Sequence, residues 1–418
     1  MTLSKNVLTV MTGTVIGQLI PVLATPLLSR LYSAEQFGIL ALYMSISALF
    51  VLIASGRYEM AIMLPPEKEK ANNLVGLSLS FTVLTTLLSV AIVGIFRELF
   101  AHWFKAESLG RYLMLIPVSV FAMGIYQTFY NWALREKLFK VISSSRIVQS
   151  IGTVVASLII GWTQTFVQGL IIGFIAGQFL GAIYIFIIIH VRQPIEWGVI
   201  RYQRIREVAH EFRDFPRINI FHALLDTLQN YGLNILISIS FGNQVLGWFS
   251  FSYRILRAPL AIVGSAYSQV LYSEVNTMKI NGTPFKPLLI KSIRKIMLIC
   301  FPFFLVLLFF APFIFKIAFG DEWEQAGVLT RLLIPWLVMN FLASPISQVP
   351  NIMGQQRKAF LINLIGVLAA FAGLILSIQV ATSFEYPFLV FSTISALYLI
   401  YFVRWILKLS EINSEFRI

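Results

Sequence analysis

Twelve apolar stretches follow one another along this 418-residue chain, at about 7–30, 37–56, 73–96, 112–134, 142–162, 166–190, 218–241, 246–272, 296–318, 328–351, 359–381 and 386–407. Each is long enough, at ~1.5 Å of helical rise per residue, to cross a hydrocarbon layer ~30 Å thick. No water is available there to satisfy backbone N–H and C=O groups, so each stretch must close its hydrogen bonds internally as a helix. The expected fold is an all-α polytopic membrane protein with about 12 transmembrane helices. Composition agrees: 58% of residues are hydrophobic, 12% are charged and the mean hydropathy is +0.80, more apolar than a soluble core absorbs. The first stretch follows Lys5, is longer than a signal-peptide core and carries Thr14, Gln18 and Thr25, which predicts an uncleaved span.

Orientation follows from the loops. Lys and Arg are retained on the cytoplasmic side, and an even number of spans puts both termini on one side. When alternate loops are assigned to opposite sides, one side holds most of the 32 basic residues, including the arginines of 192–217, while the other holds Arg30, Arg97, Lys105, Arg111, Lys316 and Arg331. Both termini are therefore expected in the cytoplasm. The net charge of +13 has this membrane explanation and implies no nucleic-acid partner.

The longest polar connection, 192–217, is rich in Arg and contains an amphipathic stretch around Arg201 to Phe212. It divides the chain into an expected six-helix bundle at 1–191, a basic linker at 192–217 and a second bundle at 218–418. A repeat supports the division: SAEQFGILALY (Ser33–Tyr43) aligns with GNQVLGWFSFS (Gly242–Ser252), matching Gly38 to Gly247. Leu115-Ile116-Pro117 is echoed by Leu333-Ile334-Pro335. Parallel halves of this kind recur in secondary transporters. Prolines inside spans, among them Pro21, Pro26, Pro302, Pro312, Pro335, Pro345 and Pro350, remove backbone donors and predict bent helices. Gly13 and Gly17 form a GxxxG that lets a partner helix approach the first span.

Charges inside spans carry the functional information. Arg254 and Arg257 lie about 12 and 16 Å into the eighth span, and their i, i+3 spacing puts them on one face. A guanidinium stays protonated when desolvated and binds phosphate oxygens through its planar fork, so this pair suits a diphosphate or acidic sugar in a wet cavity; pairing with Asp226 or Glu59 is the alternative. Arg30, Arg57 and Arg146 sit nearer span ends, where they either join the cationic cavity or reach headgroups. On a helix, Arg57 and Glu59 would not share a face, so each is expected to pair with another helix. His222, Asp226, Asn230 and Asn234 form a polar stripe at i+4 steps in the seventh span, with Asp226 a candidate for ion coupling or for pairing with an Arg. Gln127 with Asn131, and Ser347 with Asn351, repeat the spacing in the fourth and tenth spans as cavity lining or interhelical hydrogen bonds.

Enzymatic chemistry has no support. Cys300 is the one cysteine, no metal cluster or nucleophile and base pair is visible, and no P-loop indicates nucleotide use. No cofactor is expected, with H+ or Na+ coupling left open.

The segment GTVIGQLIPVLATPLLSRLYSAEQFG (Gly13–Gly38) and RYEMAIMLP (Arg57–Pro65) resemble the polysaccharide flippases of the multidrug, oligosaccharidyl-lipid and polysaccharide (MOP) exporter superfamily, in particular the O-antigen and capsule repeat-unit translocases. The resemblance implies two six-helix bundles around a central cationic cavity. It also implies alternating access that turns an undecaprenyl-diphosphate-linked oligosaccharide from the inner to the outer leaflet of the bacterial cytoplasmic membrane. Arg30, Arg57, Tyr58 and Glu59 fall on the motif itself. Membrane lipids and the lipid-linked oligosaccharide are the implied partners, with a polysaccharide polymerase and a chain-length regulator as further candidates. A lipid II or teichoic-acid type flippase, a cation-coupled drug exporter and a membrane polymerase are the alternatives.

Overall fold

A computed structural model describes residues 3–103, 110, 112–163, 168–381 and 383–412, and among these it is predominantly helical with no strand. The helices are α1 (Leu3–Leu23), α2 (Thr25–Leu31), α3 (Ala34–Val51), α4 (Lys68–Trp103), α5 (Ile116–Arg135), α6 (Phe139–Thr163), α7 (Gly169–Arg192), α8 (Tyr202–Glu211), α9 (Ile220–Phe241), α10 (Asn243–Ile280), α11 (Lys286–Phe319), α12 (Glu324–Ala343), α13 (Val349–Ile352), α14 (Gln356–Ile378) and α15 (Glu385–Ile412). Lys105, Arg111 and Arg417, used in the loop assignment, lie outside the described residues.

Among the described residues nine helical segments are long and apolar enough to span a membrane. Of the twelve expected spans, those falling below that apolarity are α5, α9 and α10. All three exist as helices of 20, 22 and 38 residues. They carry Gln127 and Asn131, the Asp226 stripe, and the Arg254–Arg257 pair, so the polar residues that drew attention to them are what lower their hydropathy. Apolar side chains stay exposed in quantity along the long helices, as a lipid-facing surface requires and a water-facing one does not tolerate.

Local chemistry sets the boundaries. Pro21 lies inside the last turn of α1 and Pro26 in the first turn of α2, and the first expected span is interrupted between them at Ala24. Ser33 caps α3 by a reciprocal capping box, its hydroxyl accepting from the Gln36 N–H while the Gln36 side chain accepts from the Ser33 N–H at 2.9 Å. The second span ends earlier than expected, at Val51, because Gly56 and Arg57 both adopt left-handed backbone (φ 62° and 63°) and a short 3-10 turn, Tyr58–Met63, follows. The tenth span is broken into α12, a 3-10 turn at Ser344–Ile346 and α13 by Pro345 and Pro350.

Packing groups the chain into two compact units, Met1–Ser250 and Phe251–Ile418. In the first, α6 packs along α1 and α7, α5 lies against α4 and α7, and α3 contacts α5 and α9. Gly13 and Gly17 face α6 at Ser143 and Ser150, the close approach their spacing predicts. The expected amphipathic stretch is α8, and the segment around it is stitched to α4 and α5. Asn73 Oδ1 accepts from the Arg201 N–H at 3.1 Å and its Nδ2 donates to the Val199 carbonyl at 3.2 Å. The Trp132 indole donates to the Gln193 carbonyl at 3.0 Å, and Ile195 and Val208 enter the buried core beside Leu74 and Trp132. Arg135 donates to the carbonyls of Ile62, Pro65 and Pro66, holding the turn between α3 and α4.

In the second unit α11 packs on α12, and α15 packs on α12 and α14. Phe251 stacks on Trp323 with centroids 3.7 Å apart, and the Ser252 hydroxyl donates to the Ala326 carbonyl at 2.7 Å.

The first repeat is visible in the fold. α3 begins at Ala34 and α10 at Asn243, the same offset that matches Gly38 to Gly247. The second is not: Ile116 opens α5, with Pro117 in a first turn that needs no donor, whereas Pro335 lies inside α12.

Candidate functional site

In the first unit the best-built cationic position is Arg146. Because Gly13 and Gly17 carry no side chain, α1 comes close enough to α6 for Thr14 to reach it. Arg146 Nη1 donates to the Thr14 hydroxyl, Nη2 donates to the Tyr130 hydroxyl at 3.0 Å, and the guanidinium lies 5.3 Å from the Tyr130 ring centre. Tyr126, one turn from Tyr130, bonds Ser145 at 3.1 Å. Every partner is neutral, and no carboxylate pairs with Arg146 among the described residues. The arrangement fixes the direction of the guanidinium while leaving its full positive charge, as an anion site requires.

Arg57 and Glu59 behave differently from expectation. They pair with each other, Nη1 to Oε1 at 3.7 Å, instead of with other helices. The expectation assumed helical backbone, where i, i+2 residues diverge; the left-handed Arg57 leaves the helix and turns both side chains to one place. Glu59 is 2% exposed and accepts from the Ser55 hydroxyl at 2.5 Å. Burial pushes its carboxyl above the usual range, and the Ser55 bond and Arg57 pull against that. Arg57 Nε is buried without a partner. Arg57 thus has a carboxyl partner where Arg146 has none, which makes it the weaker anion attractor of the two. Tyr58 is packed in the core against Phe81, its hydroxyl donating to the Ala209 carbonyl at 3.3 Å, and ties the turn to α8.

The remaining residues separate into groups. Arg30 is exposed in the last turn of α2. On α9, Asp226 and Asn230 are exposed, with Asn230 Nδ2 bonding the Asp226 backbone carbonyl at 2.7 Å; Asn234 Nδ2 reaches Ser45 of α3 at 3.0 Å. The side chain of His222 lies outside the described residues. Gln127 and Asn131 are half-buried on α5 and linked by the Asn131 amide donating to the Gln127 carbonyl at 2.9 Å. Ser347 and Asn351 do not share one helix face, because the chain breaks between α12 and α13; Ser347 bonds the Ser344 carbonyl and Asn351 bonds Gln348.

In the second unit Arg254 is half-buried and Arg257 exposed on α10, and neither forms an ion pair among the described residues. Arg257 lies 5.5 Å from the Tyr253 ring, which stacks on Trp336 of α12 (5.5 Å, 2°), and Trp336 meets Phe391 edge-on. The cation thus ends an aromatic ladder that holds it in place without neutralising it.

No hydrogen bond or ion pair joins Arg30, Arg57 and Arg146 to one another among the described residues. Tyr130 was missed from the sequence, although its i+4 relation to Tyr126 marks a polar edge on α5. Gly38 and Gly247 were found only as a repeat. A Cβ on Gly38 would overlap the Asn243 carbonyl, and one on Gly247 would overlap the Ala34 carbonyl, so the two helix starts cross backbone to backbone.

Comparison with known proteins supplies the family. A family model described as polysaccharide biosynthesis protein matches residues 27–327. No curated protein matches in sequence. Among solved structures, an inward-facing multidrug resistance MATE family transporter of the MOP superfamily superposes with a TM-score of 0.74 at 13% identity, over 100% of this chain and 97% of that one. Lipid II flippase MurJ, in an inward closed conformation, gives 0.73 at 14% identity over 98% and 89%. A MOP superfamily transporter from Pyrococcus furiosus gives 0.58 at 14% identity over 98% and 96%. The fold is that of the MOP superfamily.

Proposed function

Because this chain belongs to the polysaccharide biosynthesis protein family, we propose that it is a flippase moving an undecaprenyl-diphosphate-linked oligosaccharide repeat unit across the bacterial inner membrane by alternating access through a cationic cavity. One observation carries the reading: Arg146 has hydroxyl and aromatic neighbours, Arg257 an aromatic one, and neither they nor Arg254 form an ion pair among the described residues. A charge retained in that setting needs water or an anion. A diphosphate head supplies the anion, and its sugar-bearing head cannot cross hydrocarbon unaided. Arg57 contributes less, being paired with Glu59. Asp226, exposed and without an ion pair among the described residues, is the carboxylate we assign to ion coupling in preference to Glu59. In this reading 1–191 and 218–418 are the two repeats, 192–217 joins them on the cytoplasmic side, both termini are cytoplasmic, and no residue is catalytic.

A lipid II type flippase is the second reading, favoured by the likeness to a structure of that kind. A drug exporter for cationic compounds fits less well, since among the candidate site residues arginines without an ion pair outnumber the one such carboxylate, Asp226. The test is surface glycan display in a strain lacking its own repeat-unit flippase. Restored display, with loss of the lipid-linked repeat unit accumulated on the cytoplasmic face, supports the proposal; an unchanged pool across several host glycans despite good expression overturns it.

A further inference from the structure

At the start of α11, Lys286, Lys291, Arg294 and Lys295 crowd one end of a helix that then carries no charge until Lys316. They line a shallow groove of 690 Å³ together with Pro287, Ile290 and Leu298. Among the described residues no carboxylate pairs with Lys291, Arg294 or Lys295, all of which are exposed. The face continues beyond the groove. Arg294, Leu298, Phe301, Leu305 and Phe309 follow at steps of four, three, four and four residues, so they share one side of the helix. Their apolar members are exposed, Leu298 by 75%, Phe301 by 60% and Phe309 by 64%. From Arg294 to Phe309 the stripe runs ~22 Å, past the middle of a ~30 Å hydrocarbon layer.

We propose that this end of α11 binds the phosphate head of an acidic membrane phospholipid, with an acyl chain lying along the Leu298–Phe301–Leu305–Phe309 stripe. Arg294 offers a planar fork to two phosphate oxygens and the lysines add point charges that rotate to meet them. The occupant is a phospholipid and not the sugar-bearing substrate, because the groove lining supplies cationic donors and aliphatic carbon but no side-chain acceptor to read sugar hydroxyls. The cluster lies on the side assigned to the cytoplasm by the distribution of basic residues, where anionic headgroups attract such clusters. The site stands apart from the transport reading.

The full-length chain in detergent is titrated with phosphatidylglycerol, and bound lipid is counted by native mass spectrometry. The triple variant Lys291→Gln, Arg294→Gln, Lys295→Gln is expected to bind phosphatidylglycerol roughly tenfold more weakly than the wild type, while the variant Arg192→Gln, Arg201→Gln, Arg206→Gln, equal in charge removed, stays unchanged. Phosphatidylcholine binding is expected to be the same in all three. Should the first triple variant fold poorly, Arg294→Gln alone is expected to weaken phosphatidylglycerol measurably with an unchanged melting temperature. Equal phosphatidylglycerol binding in wild type and the α11 variants, an equal loss in both triple variants, or retention of farnesyl diphosphate in place of phosphatidylglycerol by the wild type would each overturn the assignment.

Discussion

Gly38 and Gly247, matched by the internal repeat, face each other in the fold, each occupying the space that the other's helix start leaves for no side chain. The atoms that would collide with a new Cβ are backbone, the Asn243 carbonyl on one side and the Ala34 carbonyl on the other. Neither can rotate away as a flexible side chain would. Gly38→Leu or Gly247→Leu is therefore expected to destabilise the contact by about 1–3 kcal/mol through overpacking. Thermal unfolding in detergent reads the loss; an unchanged melting temperature in both variants contradicts the contact.

Arg146 is predicted to act through charge held in a fixed direction. Arg146→Ala is expected to abolish transport with normal expression, and Arg146→Lys to restore part of it, since an ammonium keeps the charge but not the fork shared by Thr14 and Tyr130. Tyr130→Phe removes one hydrogen bond, worth about 1 kcal/mol, and is expected to weaken transport far less than Arg146→Ala.

Arg254→Ala and Arg257→Ala are predicted to stop translocation while the protein still reaches the membrane, with partial rescue by Lys. Accumulation of the lipid-linked repeat unit in cells measures this. Full activity in both alanine variants removes these residues from the site.

Glu59 gives a pH dependence with a definite sign. Burial raises its carboxyl above the ordinary carboxylate value, so the folded state holds the proton at pH values where the unfolded chain has released it. Its contribution to stability is greatest below the ordinary carboxylate value and is lost as pH rises through the higher folded value. The difference in melting temperature between wild type and Glu59→Gln is expected to shift in favour of the wild type on acidification; a difference independent of pH contradicts the burial of this carboxyl.

Asn73 joins α4 to the basic segment before α8 through two hydrogen bonds, to Val199 and Arg201, while its amide also donates to the Glu69 carbonyl of its own helix. Asn73→Ala leaves the Val199 carbonyl and the Arg201 N–H without these partners, an expected loss of about 1–3 kcal/mol. Limited trypsin digestion at Arg201, Arg204 and Arg206 is predicted to accelerate in the variant and not in the wild type.

Much of the architecture was legible in the sequence because hydrophobic length is a strong signal and backbone satisfaction in lipid leaves few alternatives to a helix. The Gly13–Gly17 approach was equally local and read correctly. The site was less legible, since helical spacing says which residues share a face only while the helix persists. That premise failed at Arg57, where two left-handed residues end the span, and at Ser347 and Asn351, where Pro345 and Pro350 break it. Tyr130 lies sixteen residues before Arg146 across a helical hairpin, a relation that no single-helix pattern contains.

The central claim is tested most directly by reconstituting the purified protein into vesicles that carry a lipid-linked diphosphate oligosaccharide and following the fraction of sugar open to a membrane-impermeant oxidant. The account predicts that wild type exposes the inner-leaflet pool while Arg146→Ala and Arg257→Ala leave it protected. A protected pool with the wild type, across several repeat units and with correctly folded protein in the vesicles, would contradict it.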